Sequence, residues 1–258
     1  MKFCVRSRVS PRYLQQADEI RVDYRDRDTL YDLPKKYRNK VFILTFPIGY
    51  NDNIDWKELH NYNLVCEGNF VLNCSDVQVA KYAKENYNIK IMINTEATSY
   101  WELEGLINLG VEYAYVGIPL FFDLEHVKDL NIKLRTIPTV SYNHSLPHDN
   151  GICGQWIRPE DVDKYDPYID VMEFEYCQVS REEALFRAYA LNKSWNTRLD
   201  LLVEDLGSPA INRLINPELV NTRLNCRQRC KSGQSCHMCY TALQMANPDL
   251  YKNIIENK

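Results

Sequence analysis

Short apolar runs, rich in β-branched and aromatic residues, recur along the chain and are separated by polar stretches with helical spacing. The runs are "KFCVRS" at 2–7, "EIRVDY" at 19–24, "KVFILTF" at 40–46, "NLVCEG" at 63–68, "KIMINT" at 90–95, "VEYAYVGI" at 111–118, "IKLRTIPTV" at 132–140 and "DVMEFEY" at 170–176. Runs of this length and composition predict strands. Between them, "SDVQVAKYAKENYN" and "SYWELEGLINLG" have the clearest helical periodicity; the first opens on a Ser-Asp cap and the second closes on Gly110. Strand, helix and strand in repeated order imply parallel pairing through right-handed crossovers. Eight such strands predict a (β/α)8 TIM-like barrel, with a doubly wound open sheet as the alternative. No GxGxxG or Walker-type glycine loop follows any strand, which counts against the nucleotide-binding open sheet. The connection "RDRDTLYDLPKKYRN" is irregular, and "NFVLNCSD" reads either as a second strand or as the loop after the fourth.

After the eighth run, "SREEALFRAYALNKSW" predicts a helix capped by Ser180. Gly207, Pro209 and Pro217 then interrupt the pattern, so residues 1–204 read as the barrel and 205–258 as a cysteine-rich C-terminal extension packed on it. An extension this short builds no core of its own without help such as a bound metal. No stretch reaches the roughly 20 apolar residues of a membrane span, so no membrane partner is expected. "MKFCVRSRVSPRYLQQ" lacks the apolar core of a secretion signal, so the nine cysteines are expected as thiols in a cytoplasmic protein. The net charge of −4 argues against nucleic-acid binding by the whole surface and leaves one local basic patch, Arg223, Arg227, Arg229 and Lys231.

That patch runs through "NCRQRCKSGQSCHMC", which brings Cys226, Cys230, Cys236 and Cys239 together, with Gly233 free to turn between the pairs. A four-iron, four-sulfur cluster and a tetrahedral zinc ion both want four thiolates; the cluster is the favoured cofactor and zinc the alternative. The basic residues would offset the charge of a tetrathiolate centre and lower the thiol pKa values. His237 is placed to replace one ligand. Cys153, in the loop after the seventh run, is a candidate fourth ligand or a substrate-facing thiol, and Cys177 directly follows the eighth run. Cys4, Cys66 and Cys74 fall on or near strands and read as buried small hydrophobes.

In a (β/α)8 barrel the catalytic groups come from the C-terminal strand ends. Here those ends carry Asp23, Arg25, Glu67, Asn94, Glu96, Tyr142, His144, His148, Glu173 and Glu175. Glu96, His144, Glu173 and Glu175 are the catalytic candidates, and Arg25 and Arg158 the substrate-binding ones. Glu173 and Glu175 alternate with Met172 and Phe174 and so share one strand face; facing inward, they need partners such as Arg6, Arg25 or Arg135. A buried ion-pair layer is the structural reading of the same pair. His144 and His148, in "SYNHSLPHDN", suit acid/base work or metal ligation as well as plain exposure. Arg158 precedes "PED", where Pro159 suits a first helical turn and the two acids favour its positive end. Arg158 either binds an anion or pairs with a nearby carboxylate.

The stretches "WIRPEDVDKYDPYIDVMEFE" and "INLGVEYAYVGIP" resemble segments of the peptidase family U-thirty-two and its relatives, and a cysteine cluster towards the C-terminus fits the same family. The resemblance spans about residues 90 to 240. It implies a TIM-like barrel carrying an iron–sulfur cluster, in a group linked to oxygen-independent hydroxylation of RNA bases or quinone precursors. The chain departs from the family in its cysteine spacing and lacks an "HGA-x-C" block. No serine triad or HExxH motif supports proteolysis. The expected function is an iron–sulfur redox enzyme that hydroxylates or otherwise modifies a nucleic-acid base or small aromatic substrate, drawing on an electron donor or partner subunit. The alternative is a noncatalytic, zinc-stapled barrel whose basic segment docks nucleic acid or a protein. A metal-dependent hydrolase built on His144, His148 and nearby acids is a third reading.

Overall fold

The structure, a computed structural model, describes residues 1–46, 54–117, 120–138, 157–175 and 178–194, together with Leu224, Pro248, Asp249 and Lys252. Eight strands, β1 (Lys2–Arg6), β2 (Glu19–Asp23), β3 (Val41–Thr45), β4 (Phe70–Cys74), β5 (Lys90–Ala97), β6 (Tyr113–Val116), β7 (Lys133–Thr136) and β8 (Val171–Glu173), pair in parallel in chain order. β8 pairs back onto β1 through Cys4 and Glu173, which closes a (β/α)8 barrel. The connecting helices are α1 (Pro11–Gln16), α2 (Leu33–Lys36), α3 (Trp56–Val65), α4 (Val77–Tyr87), α5 (Tyr100–Asn108), α6 (Leu124–Val127), α7 (Val162–Tyr165) and α8 (Val179–Phe186). Among the described residues no helix is long and apolar enough to cross a membrane.

Local chemistry explains where the pattern held and where it failed. Asp76 caps α4 by accepting the Gln78 and Val79 N–H groups, and Ser99 with Glu102 forms a capping box on α5. The irregular stretch after β2 is a 3-10 helix, Tyr24–Tyr31, followed by the single turn of α2. The run at 63–68 is not a strand, and the fourth strand lies in "NFVLNCSD", the stretch read as either a second strand or a loop. Asp55 caps α3 by accepting the Lys57 and Glu58 N–H groups, and that helix carries Leu59 and Tyr62 into the core. Glu67 and Gly68 then take φ of 53° and 77°, a left-handed reversal that suits a turn and not a strand, and β4 follows. Glu67 therefore lies at the N-terminal end of the barrel, away from the mouth where it was expected. The last helix starts behind Gln178 instead of Ser180, and from it Glu182 Oε1 accepts the Arg6 N–H at 2.7 Å while Glu183 Oε1 accepts the Ser10 N–H at 2.7 Å.

Apolar side chains fill two spaces. One lies between the strands and the helices, and Leu224, two residues before Cys226, packs against it. The other is the lumen, where alternation along each strand turns every second side chain inward and alternate strands contribute to successive layers. From the N-terminal end these layers are Glu19, Val71, Tyr113 and Val171; then Cys4, Ile43, Met92 and Arg135; then Arg21, Asn73, Tyr115 and Glu173. All twelve are buried, so the lumen is a packed core and not a pore. The next inward set, Arg6, Thr45, Asn94 and Ile137, is half-buried and forms the floor of the mouth. Apolar residues dominate the first two layers, whereas every member of the third carries a polar group.

Candidate active site at the barrel mouth

Glu173 is the hub of the third layer. Arg21 Nη1 donates to Glu173 Oε1 and, at 2.8 Å, to Glu175 Oε2. The Tyr115 hydroxyl donates to Glu173 Oε2 at 2.7 Å, and Arg135 Nη2 stands 3.1 Å from the same oxygen. Arg135 comes from the layer below, where its guanidinium lies against the rings of Tyr113 and Tyr115 and its Nη2 is also 3.0 Å from Glu19 Oε2. Burial pushes the Glu173 carboxyl up, but the Arg21 and Arg135 guanidiniums and the Tyr115 hydroxyl outweigh it and hold the group at about 2. Burial and then Glu173 push the Tyr115 phenol well up, so it keeps its proton as a donor. Glu173 is thus a fixed counter-charge closed off beneath the floor. Its ion pairs are those of the buried ion-pair layer, one of the two readings of this residue.

Glu175, one step further along the same face, reaches the mouth with a 37 % exposed side chain. Its Oε1 lies 3.7 Å from Arg6 Nη1, and Arg6 is itself tied down by Nε to Glu182 Oε2 at 3.0 Å. Along the adjoining strands β2 to β4, Arg21 Nε donates to Thr45 Oγ1 at 2.7 Å, and Asn73 Nδ2 donates to the same oxygen at 3.2 Å. Glu96 is half-buried on β5, paired with Tyr115 of β6 after an irregularity in the register between Met92 and Glu96. It packs over Gly117, where an added Cβ would stand 2.9 Å from the Glu96 Cβ. Gly117 thereby sets the position of this carboxylate at the rim.

The arginine candidates part company. Arg25 is exposed on the 3-10 helix after β2, where its N–H donates to Asp23 Oδ1 at 3.2 Å; no described contact joins its guanidinium to Glu173 or Glu175. Arg158 donates from Nε to Asp161 Oδ2 at 2.5 Å, and Lys164 lies 3.0 Å from Asp161 Oδ1, so the carboxylate pairing expected as one of its two readings is present. Arg6 and Arg135 do hold the two glutamates. Arg21, Tyr115 and Asn73 were not singled out, yet strict alternation in "EIRVD", "YAYV" and "FVLN" places all three on inward faces.

Cys4, Cys66 and Cys74 are buried free thiols. Burial alone pushes Cys66 up to about 12, and burial followed by the Asp76 charge does the same to Cys74. Among the described residues no group of three or more His, Cys, Asp or Glu side chains is arranged to hold a metal. Cys226, Cys230, Cys236, Cys239, Cys153, Cys177, His144, His148, Tyr142, His237 and the basic patch lie outside the described residues.

No protein-family model matches the chain, and no curated protein matches it either. A solved structure of a 4-hydroxy-2-oxoglutarate aldolase/2-deydro-3-deoxyphosphogluconate aldolase from TTHB1 is similar at 13 % identity and a TM-score of 0.41, over 74 % of this chain and 94 % of that one. The barrel assignment rests on the closed strand order itself.

Proposed function

We propose that this chain is a redox enzyme of the U-thirty-two kind, with its substrate site at the C-terminal mouth of the barrel and an iron–sulfur cluster held by Cys226, Cys230, Cys236 and Cys239, with Cys153 as a further candidate ligand. Its substrate is a nucleic-acid base or small aromatic molecule, its reaction a hydroxylation or related oxidation, and its electrons come from a donor protein or subunit. The observation that carries the enzyme reading is the all-polar third layer beneath a half-open floor. Four apolar side chains would pack that layer more cheaply, because burying charged groups costs several kcal/mol per ion before any pairing is counted. Such an arrangement fits a preorganised site better than a stabilising core.

Roles for the described side chains follow from their placement. Glu173, locked between two guanidiniums, fixes Arg21, and Arg21 fixes Glu175 at the edge of the mouth. Glu175 is then the carboxylate positioned to accept a hydrogen bond from a bound molecule, with Glu96 on the facing wall. The cysteine donor set suits the cluster: four thiolates in a basic stretch match iron–sulfur ligation, while the buried Cys4, Cys66 and Cys74 are spent on packing. When bound, an iron–sulfur cluster supplies single-electron transfer. Leu224 against the outer core brings the chain to the barrel surface two residues ahead of Cys226.

The test is the iron, zinc and acid-labile sulfide content of protein purified without oxygen, with its visible absorption. Iron with sulfide and a broad visible band are expected, and Cys226→Ser and Cys239→Ser should each lose them. One zinc per chain without colour would sink the redox reading and favour a zinc-stapled binding module.

A further inference from the structure

Three of the four side chains in the upper lumen layer satisfy one another, and the fourth is left with an idle end. Asn73 is fully buried on β4, between Thr45 of β3 and Asn94 of β5. Its Nδ2 donates to Thr45 Oγ1 at 3.2 Å and, more weakly, to Asn94 Oδ1 at 3.5 Å. Its Oδ1 is buried and accepts no hydrogen bond. Buried carboxamide oxygens are normally satisfied, and an orphan acceptor is costly to the fold. Val71, two residues earlier on the same face, shows that this strand fills an inward position with an apolar side chain where only packing is required. The residues directly above Asn73, Thr45 and Asn94, are half-buried, so the idle oxygen lies one layer below the solvent-exposed floor, and a ligand reaches it by displacing those two side chains.

We infer that Asn73 is the specificity-determining residue of the mouth and that its carboxamide oxygen accepts an N–H or O–H from an uncharged ligand. The neutral class follows from the charges already present. Arg21 is matched by Glu173 and Glu175, Arg6 by Glu175 and Glu182, Arg8 by Glu182, and Arg135 by Glu19 and Glu173, four guanidiniums against four carboxylates. A charged ligand seated here would unbalance a paired set in a poorly solvated place. This rests on the reading of the mouth as the substrate site, and it narrows that reading: the substrate must present a donor to the β3–β5 wall, and methylating that donor must cost binding.

Two matched pairs of neutral probes test it: 2-pyrrolidinone against N-methyl-2-pyrrolidinone, and phenol against anisole, titrated by NMR into the full chain, the Asn73→Ala variant and the Asn73→Asp variant. The donor-bearing member of each pair is expected to bind the unmodified protein about tenfold more tightly than its methylated partner. In Asn73→Ala the ratio falls to about one, and in Asn73→Asp, which keeps an acceptor, the preference for the donor survives. Equal affinities within each pair overturn the inference on the unmodified protein alone, whether or not the variants fold. So does a preference that survives Asn73→Ala, or a failure of both donor-bearing probes to bind in the millimolar range. Iron and sulfide read on the same preparation keep the two proposals apart. A donor preference in colourless protein sinks only the redox assignment, and a missing preference in iron-loaded protein sinks only the role of Asn73.

Discussion

Two carboxylates share one guanidinium inside this barrel, and the lumen treats them in opposite ways. Glu173 in the upper layer and Glu19 in the lower layer are both fully buried, and both stand within about 3 Å of Arg135, at 3.1 and 3.0 Å. Glu173 also takes hydrogen bonds from Arg21 and Tyr115, and its carboxyl is held down at about 2 against the push of burial. Glu19 has only Arg135 and the Tyr113 hydroxyl beside it; burial raises its carboxyl, and Arg135 offsets that only in part. Depth does not separate the two. The number of aimed donors does, and it rises towards the mouth.

The hardest blow to this arrangement is Arg135→Met, which leaves both carboxylates without their shared cation. A loss of about 3–5 kcal/mol in urea unfolding is expected, since it strands buried charge. A loss below about 1 kcal/mol would mean that Arg135 solvates neither group. Glu173→Gln comes next, at about 3 kcal/mol near neutral pH, because Arg21 keeps Glu175 and Arg135 keeps Glu19. Its sign with pH is fixed by the depressed carboxyl. The native group titrates at about 2 and the unfolded one at about 4.3, so the stability it contributes is complete above the unfolded value and drains away as the pH falls towards the native one. Stability curves of the two proteins should therefore converge in acid, and a gap that stays constant down to pH ~2 would contradict a charged Glu173. Tyr115→Phe removes a single donor to Glu173 and should cost about 1 kcal/mol, with the Glu173 titration moving upward.

Much of this contrast could be read from residue order alone. Seven strands follow from apolar runs, and the shared inward face of Glu173 and Glu175 follows from a period of two; closure, which separates the barrel from the doubly wound sheet, is set by the pairing of β8 with β1. The fourth strand was misplaced because "NLVCEG" is as apolar as a strand while the Asp55 cap and the left-handed Glu67–Gly68 turn decide otherwise. That single error also sent Glu67 to the wrong end of the barrel. Arg21 was within reach of the same alternation that exposed the glutamates, but which arginine meets which carboxylate depends on the stagger between strands, which short-range pattern does not encode. Glu173 and Glu175 look equivalent in "VMEFE", and only packing makes one an anchor and leaves the other open.

The smallest effect is the most discriminating. Glu19→Gln removes the poorly solvated carboxylate while keeping its shape, and at neutral pH it should be neutral or stabilise the fold by up to about 1 kcal/mol. Glu19 has a raised native carboxyl, so its protonated form favours folding below the unfolded value near 4.3, and that benefit is lost as the pH climbs through the native one. Any gain in the variant must therefore shrink as the pH falls through the raised native value and be gone by the unfolded one near about 4.3. Arg135 keeps Glu173 in that variant, so no cation is stranded. If Glu19→Gln instead costs as much as Glu173→Gln across the whole range, donor count is not what divides the two layers, and the polar third layer loses its claim to be a separately built floor.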